Sequence, residues 1–446
     1  MRTALATALL LLVVGAPSAL AQTSPPAKSD SLDLYLHTLA DSTDDYFGAP
    51  SATFDTTGLD SLFEVAKVHP LKLGHGGAAS LYPVARYHRT EGAVLGAGAR
   101  TTSVFGGVAQ VWGSYGFANK QGRYAAGWTS TLWRPGRIRT SERYDAGRIG
   151  NGSRLDFSAR YARETLPIMP EHAAIDYGGA SALVSGLNEQ SVYEQRGVTT
   201  SLTLWTGDWR FLAGFRHALD QPMDVETEFS FFGDHDDVPL NTAATHDEYS
   251  EGLGGIAFYR PDWGFGGVLD ARDGGGDRWR LRGALGKSLG ITRSFRATVQ
   301  VEGGAAAAHA PRQRLFEIGG ARAVPSIAYG AEFGDHLLLG KFELMYGNGL
   351  LETLHVGHPK WLVLQPFGFF HSGAAWDDPA QRDLVFSKPP AQAFHQSVGI
   401  GLALRAGVPD PDTYIRLYLA FRTGQDSGGP LPRLTIRVPL DLLGRL

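Results

Sequence analysis

Phe394-His395-Gln396-Ser397-Val398-Gly399-Ile400-Gly401-Leu402-Ala403-Leu404-Arg405 is the stretch that decides the fold. Read with a period of two, Phe394, Val398, Ile400, Leu402 and Leu404 share one side, with Gln396 the polar residue among them. His395, Ser397, Gly399, Gly401, Ala403 and Arg405 share the other. Successive side chains of a strand point to opposite faces of the sheet. This segment therefore reads as one strand with an apolar face and a small, polar face.

The same reading recurs outward from it. Trp279 and Leu281 alternate with Arg278, Arg280 and Arg282. Phe295, Ala297, Val299 and Val301 alternate with Arg296, Thr298, Gln300 and Glu302. Ile415, Leu417, Leu419 and Phe421 alternate with Tyr414, Arg416, Tyr418 and Arg422, and Leu434, Ile436 and Val438 with Arg433, Thr435 and Arg437. The second face carries Arg, Ser, Thr, Gln and Gly, as the wet lumen of a membrane barrel does. A soluble antiparallel sheet with one solvated face gives the same alternation. An export signal, aromatic residues near strand ends (Trp133, Trp205, Trp209, Trp361, Trp376) and strands of about 10 residues or more favour the barrel. The expected fold is all-β: an antiparallel transmembrane β-barrel of about 16 strands behind a short N-terminal segment.

Strands are expected at 89–101, 104–117, 122–134, 137–148, 152–163, 191–206, 208–221, 223–232, 246–260 and 263–272. The range 277–305 holds two if it turns at Gly290, and the series ends with 336–347, 361–375, 394–406, 412–423 and 431–440. Long loops are expected at 164–190, 233–247 and 378–392, on the extracellular side.

Composition agrees with a chain that shows less surface to water. Of 446 residues 57 are Gly, and charged residues make up 19 %. There is no Cys, which removes disulfides, thiolate metal sites and Cys nucleophiles. A net charge of −4 gives no sign of a nucleic-acid partner. At the N-terminus Arg2, the apolar run Ala4 to Val14 and Ala19-Leu20-Ala21 read as a signal peptide over 1–21. Residues 22–81 follow as a periplasmic or plug segment, with helix-like spacing at Leu32, Tyr35, Leu36 and Leu39 and at Leu59, Leu62, Phe63 and Ala66. The barrel is expected over 82–446.

Several motifs resemble the bacterial surface-antigen outer-membrane barrel superfamily, which holds insertases and two-partner secretion translocators. They are Gln313-Arg314-Leu315-Phe316-Glu317-Ile318-Gly319-Gly320, then Glu332-Phe333-Gly334-Asp335, then Pro366-Phe367-Gly368-Phe369-Phe370-His371-Ser372-Gly373 and Gln396-Ser397-Val398-Gly399-Ile400-Gly401-Leu402. Arg86-Tyr87-His88-Arg89-Thr90-Glu91-Gly92 and Gly113-Ser114-Tyr115-Gly116-Phe117 look like the start of such a barrel. The resemblance implies a role in outer-membrane biogenesis or transport, with outer-membrane lipid and a periplasmic protein held through 22–81 as partners. It also implies a loop arginine folded into the lumen against a strand aspartate. Here the matching positions are Pro325 and His371, so both partners of that lock are replaced. Losing both together is coherent, because a lone buried charge is costly.

The strongest chemical feature of the residues themselves is the row of inward arginines: Arg278, Arg280, Arg282, Arg296, Arg405 and Arg416 are the lumen-lining candidates. They read either as Arg–acid ladders that order the interior or as the lining of an anion-leaning passive pore. Weaker constellations are His395 with Ser397, the Gly-rich Leu73-Gly74-His75-Gly76-Gly77, and the acidic clusters Asp234-His235-Asp236-Asp237 and His246-Asp247-Glu248. None assembles a catalytic or metal-ligating set, so neither enzyme activity nor a cofactor is assigned. A soluble secreted β-rich hydrolase is the remaining alternative.

Overall fold

The stretch that opened the reading is a strand, and its neighbours in sequence are its neighbours in space. A computed structural model describes residues 71–73, 77–104, 107–133, 153–169, 191–227, 241, 244–260, 265–292, 294–320, 323–327, 330, 332–347, 349–356, 362–377, 389–390, 393–406, 414–423 and 431–437. The expected signal peptide, the helix-like spacings before residue 70, the strand at 137–148 and most of the long loops lie outside these residues.

The first half comprises β1 (Leu71–Leu73), β2 (Gly77–His88), β3 (Gly92–Val104), β4 (Gly107–Gly116), β5 (Gln121–Trp133), β6 (Arg154–Pro167), β7 (Val192–Thr206), β8 (Trp209–Pro222) and β9 (Asp247–Arg260). It continues through β10 (Phe265–Asp273), β11 (Arg280–Gly290) and β12 (Phe295–Ala306). After two short strands, β13 (Phe316–Ile318) and β14 (Glu332–Gly334), come β15 (His336–Tyr346), β16 (Leu362–Trp376), β17 (His395–Ala406), β18 (Tyr414–Thr423) and β19 (Leu431–Arg437). A four-residue helical turn, Leu350–Thr353, precedes β16.

β13 and β14 pair with each other, and the remaining strands form one antiparallel sheet of 17. It is a meander in which each long strand pairs with the next, and β12 pairs with β15 across the β13–β14 insertion. Among the described residues β19 is registered against β18 and β2 against β1 and β3, so the described sheet is open between β19 and β2.

Two expectations are corrected. The chain does not begin its long strands at residue 89: β2 ends at His88, and Arg89 to Glu91 form a buried turn into β3. Nor is 223–232 a strand over its described part. Residues 223–227 are irregular, and the N–H groups of Glu226 and Thr227 donate to the Arg89 carbonyl at 3.0 Å each. That contact also shows that the sheet curls. On a flat sheet β3 and β8, five strand steps apart, would be separated by about 24 Å. The four residues from Pro222 to Glu226 reach only about 14 Å.

The alternation has an inverted sense. Along β8, Trp209, Phe211, Ala213, Phe215 and His217 are exposed, while Arg210, Leu212, Arg216, Ala218 and Asp220 are buried. Ile400 is 67 % exposed, Leu417 57 % and Phe215 50 %, whereas Arg216 and Arg280 are exposed by 2 % and 1 %. A water-soluble sheet places its charges outward. This sheet keeps them on its concave side and turns the large apolar side chains out.

Candidate functional site

The site is the buried, charged face of the sheet together with the β12–β15 connection that lies on it. Period-two alternation places the charges. On β11, Arg280 and Arg282 point to the buried face, and on β12 Gln300 and Glu302 join them. The guanidinium of Arg282 donates to Glu302 at 2.7 Å and to Asp270 of β10 at 3.3 Å. Arg278, half-exposed in the β10–β11 turn, grips Asp247 of β9 with bonds of 2.9 and 3.1 Å. Arg416 of β18 reaches Glu343 of β15 at 3.3 Å. Arg296 is partly buried, and Arg405 lies on β17 with nothing described of its side chain. Three of the six arginines singled out in the sequence thus meet carboxylates, which is the ladder arrangement. Arg280 instead lays its guanidinium over the Phe316 ring, 4.5 Å from the centroid.

Other members of the face were not singled out in the sequence. Arg123 of β5 bridges Glu91, at 3.3 Å, and Glu194, at 2.8 Å. Arg216 of β8 meets Glu251 of β9 at 3.4 Å. Their signal was present, as a charge on the polar parity of an otherwise apolar strand. It was missed because Glu91 and Asp220 sit at strand ends, where alternation gives way to turn chemistry.

The β12–β15 connection covers this face. Its residues Gln313, Arg314, Phe316, Glu317 and Ile318 are each at most 1 % exposed. Arg314 forms an ion pair with Glu251 at 2.7 Å and stacks on the Tyr249 ring at 4.3 Å. The Gln313 side-chain amide donates to Asp220 at 3.2 Å and to the Thr245 carbonyl at 3.0 Å, and its oxygen accepts from the Thr245 N–H at 3.0 Å. These contacts hold the connection to β8 and β9. Further along, the Ala323 carbonyl lies 2.9 Å from His371 Nδ1 on β16. The Ser326 hydroxyl donates to the Gln396 carbonyl of β17 at 3.4 Å. One connection therefore touches β8, β9, β11, β16 and β17. Around it Phe316, Ile318, Val324 and Ile327 pack with Ile168, Tyr193, Leu337 and Ala375 in one apolar cluster.

The two replaced lock positions are both here. Pro325 is buried in the connection. His371 is buried and meets the connection through a hydrogen bond to a backbone carbonyl, while its Nε2 lies 3.7 Å from Glu343. A charged tether of the connection is the pair Arg314 and Glu251.

Among the described residues, His395 and Asp247 of the weaker constellations are engaged elsewhere, and His75 lies outside the described residues. His395 is engaged by Arg422 at 2.9 Å and Glu332 at 3.4 Å. Asp247 is held by Arg278, and Asp234 to Asp237 lie outside the described residues. Among the described residues no group of three or more His, Asp or Glu side chains is placed to hold a metal.

No family model matches the chain, and neither does any curated protein. Among solved structures it is similar to BamA from Haemophilus ducreyi lacking POTRA domains 1–3, at 11 % identity and a TM-score of 0.49, over 80 % of this chain and 68 % of that one. It is also similar to CdiB from Acinetobacter baumannii, at 13 % identity and 0.39, over 78 % of this chain and 56 % of that one. CdiB from Escherichia coli matches at 11 % identity and 0.40, over 82 % of this chain and 62 % of that one. The chain thus spans less than two thirds of the length of both CdiB chains.

Proposed function

We propose that the chain is an outer-membrane β-barrel of 16 long strands, closed by β19 meeting β2, whose lumen is occupied by its own β12–β15 connection. Its role is in outer-membrane assembly or translocation. Of the residues 22–81 expected to hold a periplasmic protein partner, 77–81 belong to β2, so the part before β2 offers that segment. The observation that carries this is the inverted burial: charged side chains inside, large apolar side chains outside. Only a solvent that is itself apolar makes that exterior favourable. Because most of the singled-out arginines with a described partner meet carboxylates, an open anion-selective pore is the weaker account of the same residues.

The exterior supports the same reading at both rims. At the short-turn end Trp209 packs on Phe258, at 5.1 Å, and Phe258 on Phe265, at 5.2 Å. At the other end Tyr115 packs on Phe117, at 5.4 Å, and Tyr124 on Tyr161, at 5.9 Å. Aromatic girdles at two levels are what a spanning barrel carries.

Cell fractionation with an unheated gel of the native protein tests the proposal. Recovery in the outer membrane, with a faster-migrating unheated band, is expected. Recovery in a soluble fraction with no mobility shift would overturn it.

A further inference from the structure

The exposed face of the sheet is apolar over most of its height, yet one row of it is cationic. The registers Tyr124↔Arg163, Arg163↔Arg196 and Arg196↔Leu219 set these residues side by side across β5, β6, β7 and β8. Arg196 is exposed, and its Nε donates to the Tyr161 hydroxyl at 3.0 Å. Arg163 is bonded to Glu194 at 2.7 Å, and that carboxylate is shared with Arg123. With Glu91 also bound to Arg123, three arginines face two carboxylates here. Among the described residues no carboxylate lies within ion-pair reach of Arg196. The next outward acid along the row, Glu248, sits against His217 at 3.8 Å.

The position of the row matters as much as its charge. From Arg196 toward the short-turn end the outward residues of β7 are Val198, Thr200, Leu202 and Leu204, and those of β8 are His217, next to the row, then Phe215, Ala213, Phe211 and Trp209. Eight residues of strand from Arg196 to Leu204 cover about 26 Å along the strand, or about 20 Å of membrane height at a tilt near 40°. Arg196 therefore stands at one edge of an apolar band of roughly membrane thickness, at the end of the sheet that carries the long connections. An outward arginine inside the band would be costly. At the edge, with a tyrosine hydroxyl orienting it, it is placed to meet a headgroup.

The geometry points to a binding site for the phosphate headgroup of an anionic lipid, formed by Arg196 and Arg163 with Tyr161 and Tyr124 as its aromatic frame. The site rests on the barrel proposal, since it takes the exposed face to be in lipid. The extracellular placement of long connections assigns it to the outer leaflet. Arg196 supplies the charge-assisted bonds, and Tyr161 orients it.

The test is native mass spectrometry of the full chain purified in a mild detergent and titrated with lipid A, with phosphatidylcholine as the neutral control. The wild type is expected to retain lipid A in preference to phosphatidylcholine. Arg196→Gln should weaken retention roughly tenfold or more, as loss of a charge-assisted bond does. Arg163→Gln with Arg196→Gln should abolish the preference, and Arg196→Lys should restore part of it. Equal retention of the two lipids by the wild type, or unchanged retention by Arg196→Gln, would overturn the site. Displacement of the lipid by inorganic phosphate at millimolar concentration would reassign it to free phosphate and overturn the lipid proposal. The heat-modifiable band is read on every sample. A folded barrel without lipid preference removes the site alone, whereas absence of the band removes the barrel reading and the site with it.

Discussion

Arg282 illustrates what a single residue does in this interior. It is 3 % exposed and serves two buried carboxylates, Glu302 and Asp270. Removing one member of such a set leaves a charge with neither water nor partner. Arg282→Ala is expected to destabilise the folded chain by about 3–5 kcal/mol. The temperature at which the folded gel band disappears checks this. Glu302→Leu together with Arg282→Met should recover much of the loss, because an apolar replacement of both partners is often tolerated. Failure of the double variant to improve on Arg282→Ala would mean that Asp270 dominates the site. His371 is the contrasting case. It meets the connection at the Ala323 carbonyl, and the Glu343 carboxylate beside it keeps Arg416 as a partner, so His371→Asn should be much milder than Arg282→Ala in the same assay.

At the scale of one element, the β12–β15 connection is held by shape as well as charge. Gly304 faces the Phe316 ring so closely that a Cβ there would lie 2.3 Å from it. Phe316 is fully buried and covered by Arg280, so it has little room to withdraw. Gly304→Val is expected to dislodge the β13–β14 hairpin while β11 and β12 stay paired. Limited proteolysis of the folded protein checks this, with new cleavage between residues 307 and 335 as the expected result. Arg314→Ala acts on the charged side of the same element. It leaves Glu251 to Arg216 alone and should raise cleavage in the same region. Unchanged protection in both variants would show that the apolar cluster around Ile318 and Val324 holds the connection by itself.

For the whole molecule, the proposed barrel would be shut by its own chain. Reconstituted in a planar bilayer, the wild type should conduct little. Replacing residues 310–330 by a short turn should raise conductance several-fold, provided the unheated gel band persists. Equal conductance in the two proteins would mean that the connection does not occlude the path, and the translocation role would then need another gate. On the same proposal no helix would be needed to cross a membrane, since a curled sheet pairs its backbone polar groups between strands.

Much of this was legible in residue order. Period-two alternation from Phe394 to Arg405, repeated in β11, β12, β18 and β19, determined strands, their length and which residues share a face, because that period belongs to the backbone itself. The motif around Gln313 to Gly320 announced an inserted connection. Alternation is blind to what lies outside it. It does not say whether the apolar or the charged face meets solvent, and that was decided by the curl that buries Arg216 and exposes Phe215. Nor does it say which charges meet. Arg314 and Glu251 are 63 positions apart and share a bond only because the connection crosses the curled face. Pro325 and His371 show the same limit from the other side. The sequence shows which residues stand at these two positions, whereas only the tertiary structure decided that His371 meets the Ala323 carbonyl and that Arg314 meets Glu251. Contacts between strands far apart in the chain depend on how far a sheet closes, and closure is a property of the assembled sheet rather than of any one strand.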